Sequence, residues 1–344
     1  MKPVFAACAL VFAFMAVSRA QSPTGGIVPV TADNFTRAES DAYFASIVKQ
    51  AGGLGRFFHR RQVEPVDNQI VIRANRDTLY SAAVFDLDAG PVTVTLPDAG
   101  DRFMSMQVID EDHYTHTVIY DEGEHTITRD QIGTRYVAVP VRILVDPSNP
   151  DDVAAVHRLQ DAIVVDQDKP GSFDVPNWDP KSQKIVRDAL VTLATTLPDT
   201  KRTFGTKVDT DPVRHLVGSA NAWGGNPEND ALYLTVVPTQ NDGKTVHTLT
   251  VGDVPVDGFW SVTVYNEDGY FTPNPQNAYS FNDVTAEKGK DGNTTIQFGG
   301  CDGGDGEVPN CLPITPGWNY TVRLYRPQQP ILDGSWAFPE ATPA

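Results

Sequence analysis

The chain has 344 residues, 40% hydrophobic and 21% charged, with 27 Lys+Arg against 44 Asp+Glu and a formal net charge of −17. At roughly 150 residues per domain the length suggests about two domains, and the composition argues against disorder. The negative charge repels phosphate backbones and anionic lipid, which excludes nucleic acid as the natural partner.

Met1-Lys2 followed by the apolar run Val4–Val17 and then Ser18-Arg19-Ala20 reads as a secretory signal cleaved near Ala20. The run is shorter than the ~20 residues that span a bilayer. A secreted or periplasmic location follows as the expectation, without stable membrane insertion. Residues 33–51 predict a helix capped by Asp33 or Thr36, with Glu39 three residues after Thr36 and Gly52-Gly53 at its end. Further helical spacing recurs at 151–166, with Asp151 or Asp152 as cap, and at 182–197 from Ser182.

Most of the rest alternates or carries β-branched runs, and so predicts strands. In the first half these are Gln69–Arg73, Leu79–Leu87, Val92–Leu96, Phe103–Ile109, Thr117–Tyr120 and Tyr136–Val141. In the second half they are Ala231–Val237, Thr245–Val251, Trp260–Tyr265, Thr294–Phe298 and Tyr320–Tyr325. Such strands, with few helices to cross over, predict a mainly β protein of two antiparallel β-sandwich or jelly-roll-like domains. The expected layout is an N-terminal β-domain at 27–168, a linker and helical connector at 169–214, and a C-terminal β-domain at 215–341. Removing the signal with Cys8 leaves Cys301 and Cys311 around a short loop. In an exported protein these predict a local disulfide.

Several motifs resemble a known pair of families. Asn75-Arg76-Asp77-Thr78-Leu79-Tyr80-Ser81, then Asp86-Leu87, Gly90-Pro91-Val92, Leu96-Pro97-Asp98 and Gln107-Val108-Ile109-Asp110, resembles domain of unknown function 1254. Gly258 to Tyr265 (GFWSVTVY), Asn274-Pro275 through Tyr279-Ser280, Asn310-Cys311-Leu312-Pro313 and Leu332 to Trp336 (LDGSW) resemble its companion, domain of unknown function 1214. The resemblance implies two jelly-roll-like domains side by side and carries no settled activity. One departure is Ala278, where relatives often have Arg; if that Arg binds an anion in them, this chain has lost the contact.

The segment Asn75–Tyr80 packs an amide, a guanidinium, a carboxylate, a hydroxyl and a phenol into six positions. Read as a strand, it sends Asn75, Asp77 and Leu79 to one face and Arg76, Thr78 and Tyr80 to the other. Either it locks the first strand, or it forms a pocket in which Asp77 does proton work and Arg76 holds an anionic group. Asp110 to His116 (DEDHYTH) is the densest cluster of acids and imidazoles. It reads first as a charged hairpin end. Its second reading is a divalent-metal site at His113 and His116. The acidic loop from Asp302 to Glu307 does not match EF-hand spacing. The glycines from Gly218 to Gly225 lack the Gly-Lys-Ser/Thr of a phosphate loop. No Gly-x-Ser-x-Gly elbow is present.

Two function classes fit. One is an exported hydrolase or lyase acting on a small polar or carbohydrate-like ligand between the domains. Asp77 and Asp110 would be its acid/base groups, with Arg76 as clamp and Asn75, Tyr80, Trp260, Tyr265, Asn274 and Tyr279 as ligand contacts. The other is a non-catalytic binding or envelope-associated protein, with self-association left open. The two differ in whether Asp77 and Asp110 line one pocket.

Overall fold

Alternation at a period of two, along strands of the predicted lengths, buries one face of each sheet against a second sheet. The computed structural model describes residues 26–69, 72–302 and 308–344. The expected signal segment, with Cys8, and most of the acidic loop (303–307) lie outside the described residues.

The first half contains α1 (Phe35–Ala51), β1 (Phe58–His59), β2 (Thr78–Asp86), β3 (Val92–Leu96), β4 (Met104–Asp110), β5 (Thr115–Ile119), β6 (Gly123–Ile127), α2 (Arg129–Ile132), β7 (Tyr136–Leu144), α3 (Pro150–Asp161) and β8 (Val164–Asp166). Its strands form a five-stranded sheet in the order β1-β2-β7-β4-β5 and a three-stranded sheet in the order β6-β3-β8. Val92, Val94 and Leu96 of β3 meet Leu79, Ala83 and Phe85 of β2 and Val137, Val139, Val141 and Ile143 of β7 in one core. Each such buried side chain contributes ~1.5–3 kcal/mol. The opposite face of β2 and β7 is covered by α1, with Phe44 against Val84, Tyr136 and Ala138. The larger sheet is therefore buried on both sides over part of its area.

Two helices follow, α4 (Pro180–Ala194) and α5 (Pro212–Asn221), and they share a cluster with α1 built on Phe35, Ala38, Leu190 and Val217. The second half then adds β9 (Ala231–Val236), β10 (His247–Val251), β11 (Trp260–Tyr265), β12 (Ser280–Asn282), β13 (Thr294–Phe298), β14 (Cys311–Leu312), β15 (Asn319–Tyr325), α6 (Gln329–Leu332) and β16 (Thr342–Pro343). Two four-stranded sheets, β14-β13-β10-β16 and β12-β11-β15-β9, close on Leu249, Ile296, Phe298, Val262, Tyr320 and Leu324. The protein is mainly β, and its strand pairs are antiparallel except for β13 with β14.

Helix starts differ from expectation in an instructive way. Asn149, Asp179 and Asp211 cap α3, α4 and α5 with their side chains, each followed by Pro at the first helical position. Asp151, Asp152 and Ser182 are thus already inside their helices. The Asp211-Pro212 cue starts α5, which runs past residue 214, where the β-domain was expected to begin. Glu39 does not cap α1; it is 2% exposed and paired with Arg187. No strand forms at Gln69, and Ile72-Arg73 is a turn with Arg73 at φ 50°; residues 70 and 71 are not described. Cys301 and Cys311 are joined by a disulfide, with Cα atoms 5.6 Å apart. Among the described residues no helix is long and apolar enough to cross a membrane.

Candidate functional site: two clefts around Asn75–Tyr80

Asn75, Arg76 and Asp77 precede the strand rather than form it. The backbone N–H of Asp77 donates to Asn75 Oδ1 at 2.7 Å, an Asx turn that ends where β2 begins at Thr78. The turn packs on the second half of the chain. Tyr265 donates its hydroxyl to the carbonyl of Ala74 at 2.7 Å, Arg323 donates to the carbonyl of Arg73 at 2.8 Å, and Asn75 Nδ2 donates to the Tyr325 hydroxyl at 3.0 Å. Because the turn breaks strict alternation, Asn75 and Tyr80 share one cleft, and Arg76 and Asp77 share another.

The cleft on the Arg76 side has two connected lobes of about 500 and 130 Å³ that share Val63, Arg76, Pro147, Asn277 and Tyr279. The guanidinium of Arg76 lies over the rings of Tyr279 and Phe271, 5.1 and 5.7 Å from their centroids, and donates to the carbonyl of Glu64. Asp77 lines the smaller lobe and is 2% exposed. Its Oδ1 accepts from Ser280 Oγ at 2.8 Å and Asn282 Nδ2 at 3.4 Å. Its Oδ2 is buried and has no donor among the described residues. A buried acceptor left unpaired costs ~1–3 kcal/mol, so the arrangement is set to receive a donor.

The cleft on the Tyr80 side, about 330 Å³, lies between α1 and the α1-facing side of β2 and β7. Tyr80 and Arg142 are directly opposed in the β2–β7 register, with Arg142 5.7 Å from the ring centroid of Tyr80. Arg142 donates to Gln107 Oε1 at 2.8 Å, Asn226 Oδ1 at 3.2 Å and the Gly224 carbonyl at 2.8 Å. The glycine-rich stretch that is no phosphate loop thus supplies one acceptor, the Gly224 carbonyl, to a buried guanidinium. Burial pushes the nearby Tyr325 and Tyr233 phenols above their ordinary values, so both stay protonated while accepting from Asn75 and Asn226. Arg142 was not among the expected site residues. Its signal was a single charge inside the apolar strand YVAVPVRIL, of which the predicted strand reached only Val141.

Asp110 does not join Asp77. It pairs with Val137, whereas Thr78 pairs with Leu144 at the other end of β7. Seven residues of strand separate the two levels, on the order of 20 Å. Asp110 closes the β4–β5 turn instead, accepting from the N–H groups of Asp112 and Tyr114 and meeting His116 Nε2 at 2.9 Å. His113 and His116 do not converge. His113, at φ 66°, turns inward, and its Nε2 accepts from the Gly224 N–H at 2.8 Å. Burial, and then His215, pull its pKa down to about 3, which keeps the ring neutral. Among the described residues no group of three His, Cys, Asp or Glu stands close enough to hold a metal ion.

The expected aromatic contacts divide. Tyr279 lines the Arg76 cleft. Trp260 packs in the C-terminal core beside Phe338, 5.8 Å between ring centroids, and Tyr265 is buried against Phe271. Asn274 folds its side chain onto the backbone of Ala278, accepting its N–H at 3.1 Å. Ala278 packs against that same C-terminal core.

Residues 54–129 match the family described as Protein of unknown function (DUF1254), and residues 236–329 match Protein of unknown function (DUF1214). The chain thus carries a DUF1254 match in its N-terminal half and a DUF1214 match in its C-terminal half. The DUF1254 match contains the Asn75–Tyr80 turn and the Asp110–His116 hairpin, and the DUF1214 match contains Tyr279, Arg323 and Tyr325. Arg142 and the Gly224 loop lie between the two matches. The chain is similar in fold to the VPA0106 protein from Vibrio parahaemolyticus. The TM-score is 0.69 at 19% identity, with 91% of this chain and 97% of that one covered. A protein from Burkholderia cenocepacia is more distantly similar, with a TM-score of 0.50 at 12% identity over 90% of this chain and 86% of that one. No curated protein matches this chain.

Proposed function

We propose that this protein binds a small, neutral, hydroxyl-rich ligand of the carbohydrate class in the cleft between its halves, lined by Arg76, Asp77 and Tyr279. The observation that carries it is the buried Oδ2 of Asp77, which lacks a protein donor while lining the cleft. The neighbouring charge decides the ligand class. A cationic ligand would meet Arg76, and an anionic one would meet Asp77. A polyol satisfies both, accepting from the guanidinium and donating to the carboxylate. Ser148, Asn277 and Thr285 add short polar groups, and the walls from Val63 and Pro147 are apolar, as sugar sites require. The Cys301–Cys311 disulfide supports export to an oxidising compartment.

A hydrolase or lyase reading keeps one specific observation in its favour. Asp283 follows Asn282, and burial, joined by the charge of Asp77, pushes it up to about 6. A raised carboxyl near Asp77 is the kind of group acid/base work uses, but Asp283 does not itself line the cleft, so this reading ranks second. Asp283 Oδ1 is itself buried without a partner.

The test is titration calorimetry of the full chain with glucose, galactose, mannose, maltose and cellobiose. At least one sugar should bind saturably, and Asp77→Asn should weaken it at least tenfold with the melting temperature held. No binding across the panel, or binding indifferent to Asp77→Asn, overturns the proposal.

A further inference from the structure

The Tyr80 cleft is a second site with the opposite charge logic, and it stands independently of the Asp77 cleft. Arg142 is 7% exposed, yet its hydrogen-bond partners Gln107, Asn226 and Gly224 are all neutral. Among the described residues no carboxylate pairs with it. Buried charges in proteins are ordinarily paired, so a guanidinium held by neutral groups at the wall of a cleft calls for an anion. Three of its five N–H groups serve those partners and a fourth can reach the Tyr80 hydroxyl, which leaves one for a ligand.

The rest of the cleft defines what kind of anion. Tyr43 stacks on Trp223 with centroids 4.4 Å apart, and Ile47, Phe58 and Pro140 complete an apolar lining. Tyr80 places a phenol beside Arg142, and Asn75 bonds that phenol at 3.3 Å. At the rim Arg60 is paired with Glu64, so Arg142 is the one cation of the lining without an ion-pair partner; the Asp230 carboxylate, whose charge it feels, lies outside the lining and is bonded by Tyr120. A dianion such as phosphate would bring its second charge toward Glu64. The neutral His113 fixes the loop on the far side through the Gly224 N–H, so the acceptors around Arg142 are held in place rather than recruited by ligand.

We propose that this cleft, of about 330 Å³, binds a small organic monoanion: a carboxylate carried on an apolar or aromatic body and anchored by Arg142 and Tyr80.

The experiment titrates the full-length protein with benzoate, hexanoate, benzamide and inorganic phosphate. Benzoate or hexanoate should saturate below about 10 mM, benzamide should bind at least tenfold more weakly than benzoate, and phosphate should bind more weakly still. Tyr80→Phe should weaken the carboxylate severalfold. Arg142→Gln should abolish binding. Because removing a buried arginine can unfold the chain, Ala82→Phe, which fills the cleft from β2, is measured alongside with a thermal melt. Loss of binding in Ala82→Phe at unchanged melting temperature supports the site. Neither carboxylate saturating, benzamide matching benzoate, phosphate binding tighter, or Ala82→Phe retaining full affinity each overturns it.

Discussion

The N–H of Asp77 bonds to the side-chain oxygen of Asn75 at 2.7 Å, and that turn gives two residues only two positions apart to two different clefts. Asn75 faces Tyr80 and Tyr325, whereas Asp77 faces Ser280 and Asn282. Both also tie the turn to the second half of the chain, so each has a structural and a recognition role that substitution can separate.

Asp77→Asn keeps the shape and an acceptor for Ser280, and is expected to cost about 1 kcal/mol or less in urea unfolding. Asp77→Ala leaves Asn282 Nδ2 without its acceptor, leaves Ser280 only Thr263 as partner and opens a small void, so it should cost ~2–3 kcal/mol. Equal destabilisation by the two variants would mean that the charge itself, rather than the hydrogen-bond geometry, holds the turn.

Arg323 is the other tie. It is 4% exposed, on β15, and donates to Thr263 Oγ1, the Tyr265 hydroxyl and the Arg73 carbonyl at 2.8, 2.7 and 2.8 Å. Arg323→Met should lower stability by ~2–4 kcal/mol, because it strips donors from several buried acceptors. Arg323→Lys keeps the charge without the planar fork and should fall between the two. Shifts in urea midpoint within error of wild type for both would show that the halves hold together without this clamp.

The strand content was legible because its cause is local. Val92–Leu96 alternates apolar and polar residues throughout, Trp260–Tyr265 and Thr294–Phe298 do so over most of their length, and the observed bounds coincide with those expected. Short strands such as β12 and β14 were not legible, since two or three residues carry no period. Helix α5 was hidden by its small residues Gly218, Ser219 and Ala220, although Asp211-Pro212 marks its start. The site was half legible. Arg76, Asp77 and Tyr279 meet because the turn docks on the second half, a long-range fact that sequence density only hinted at. Asp110 looked equivalent to Asp77 by composition, and only strand register separates them. Arg142 lies one residue beyond the expected strand Tyr136–Val141, and only the β2–β7 register sets Tyr80 opposite it.

The Cys301–Cys311 bridge spans 10 positions, and a loop that short contributes at most ~3 kcal/mol through chain entropy. It also borders the two-residue pairing of β14 with β13. Reduction should therefore lower the melting temperature modestly and leave the far-ultraviolet circular dichroism spectrum intact. Collapse of the whole spectrum on reduction would show that the C-terminal sandwich depends on this one loop.

Asp41, on the buried side of α1, supplies the clearest pH dependence. It is 1% exposed; Oδ2 accepts from Trp178 Nε1 at 2.8 Å, while Oδ1 has no partner among the described residues. Burial pushes its pKa from 3.8 up to about 6, with the Trp178 bond opposing and the Glu111 charge reinforcing the shift. The native state therefore holds this proton more tightly than the unfolded chain does, and the contribution to stability is full below pH 4 and lost as pH rises toward 6. At pH 7 the buried charge is a net cost. Asp41→Asn removes that cost and can still accept from Trp178, so it should stabilise the protein at pH 7 by on the order of 2 kcal/mol. The gain should shrink through pH 6 to 4 and vanish below. Urea melts of both proteins at pH 4, 5, 6 and 7 measure it; a constant difference across the series would show that packing rather than titration of this carboxyl is responsible.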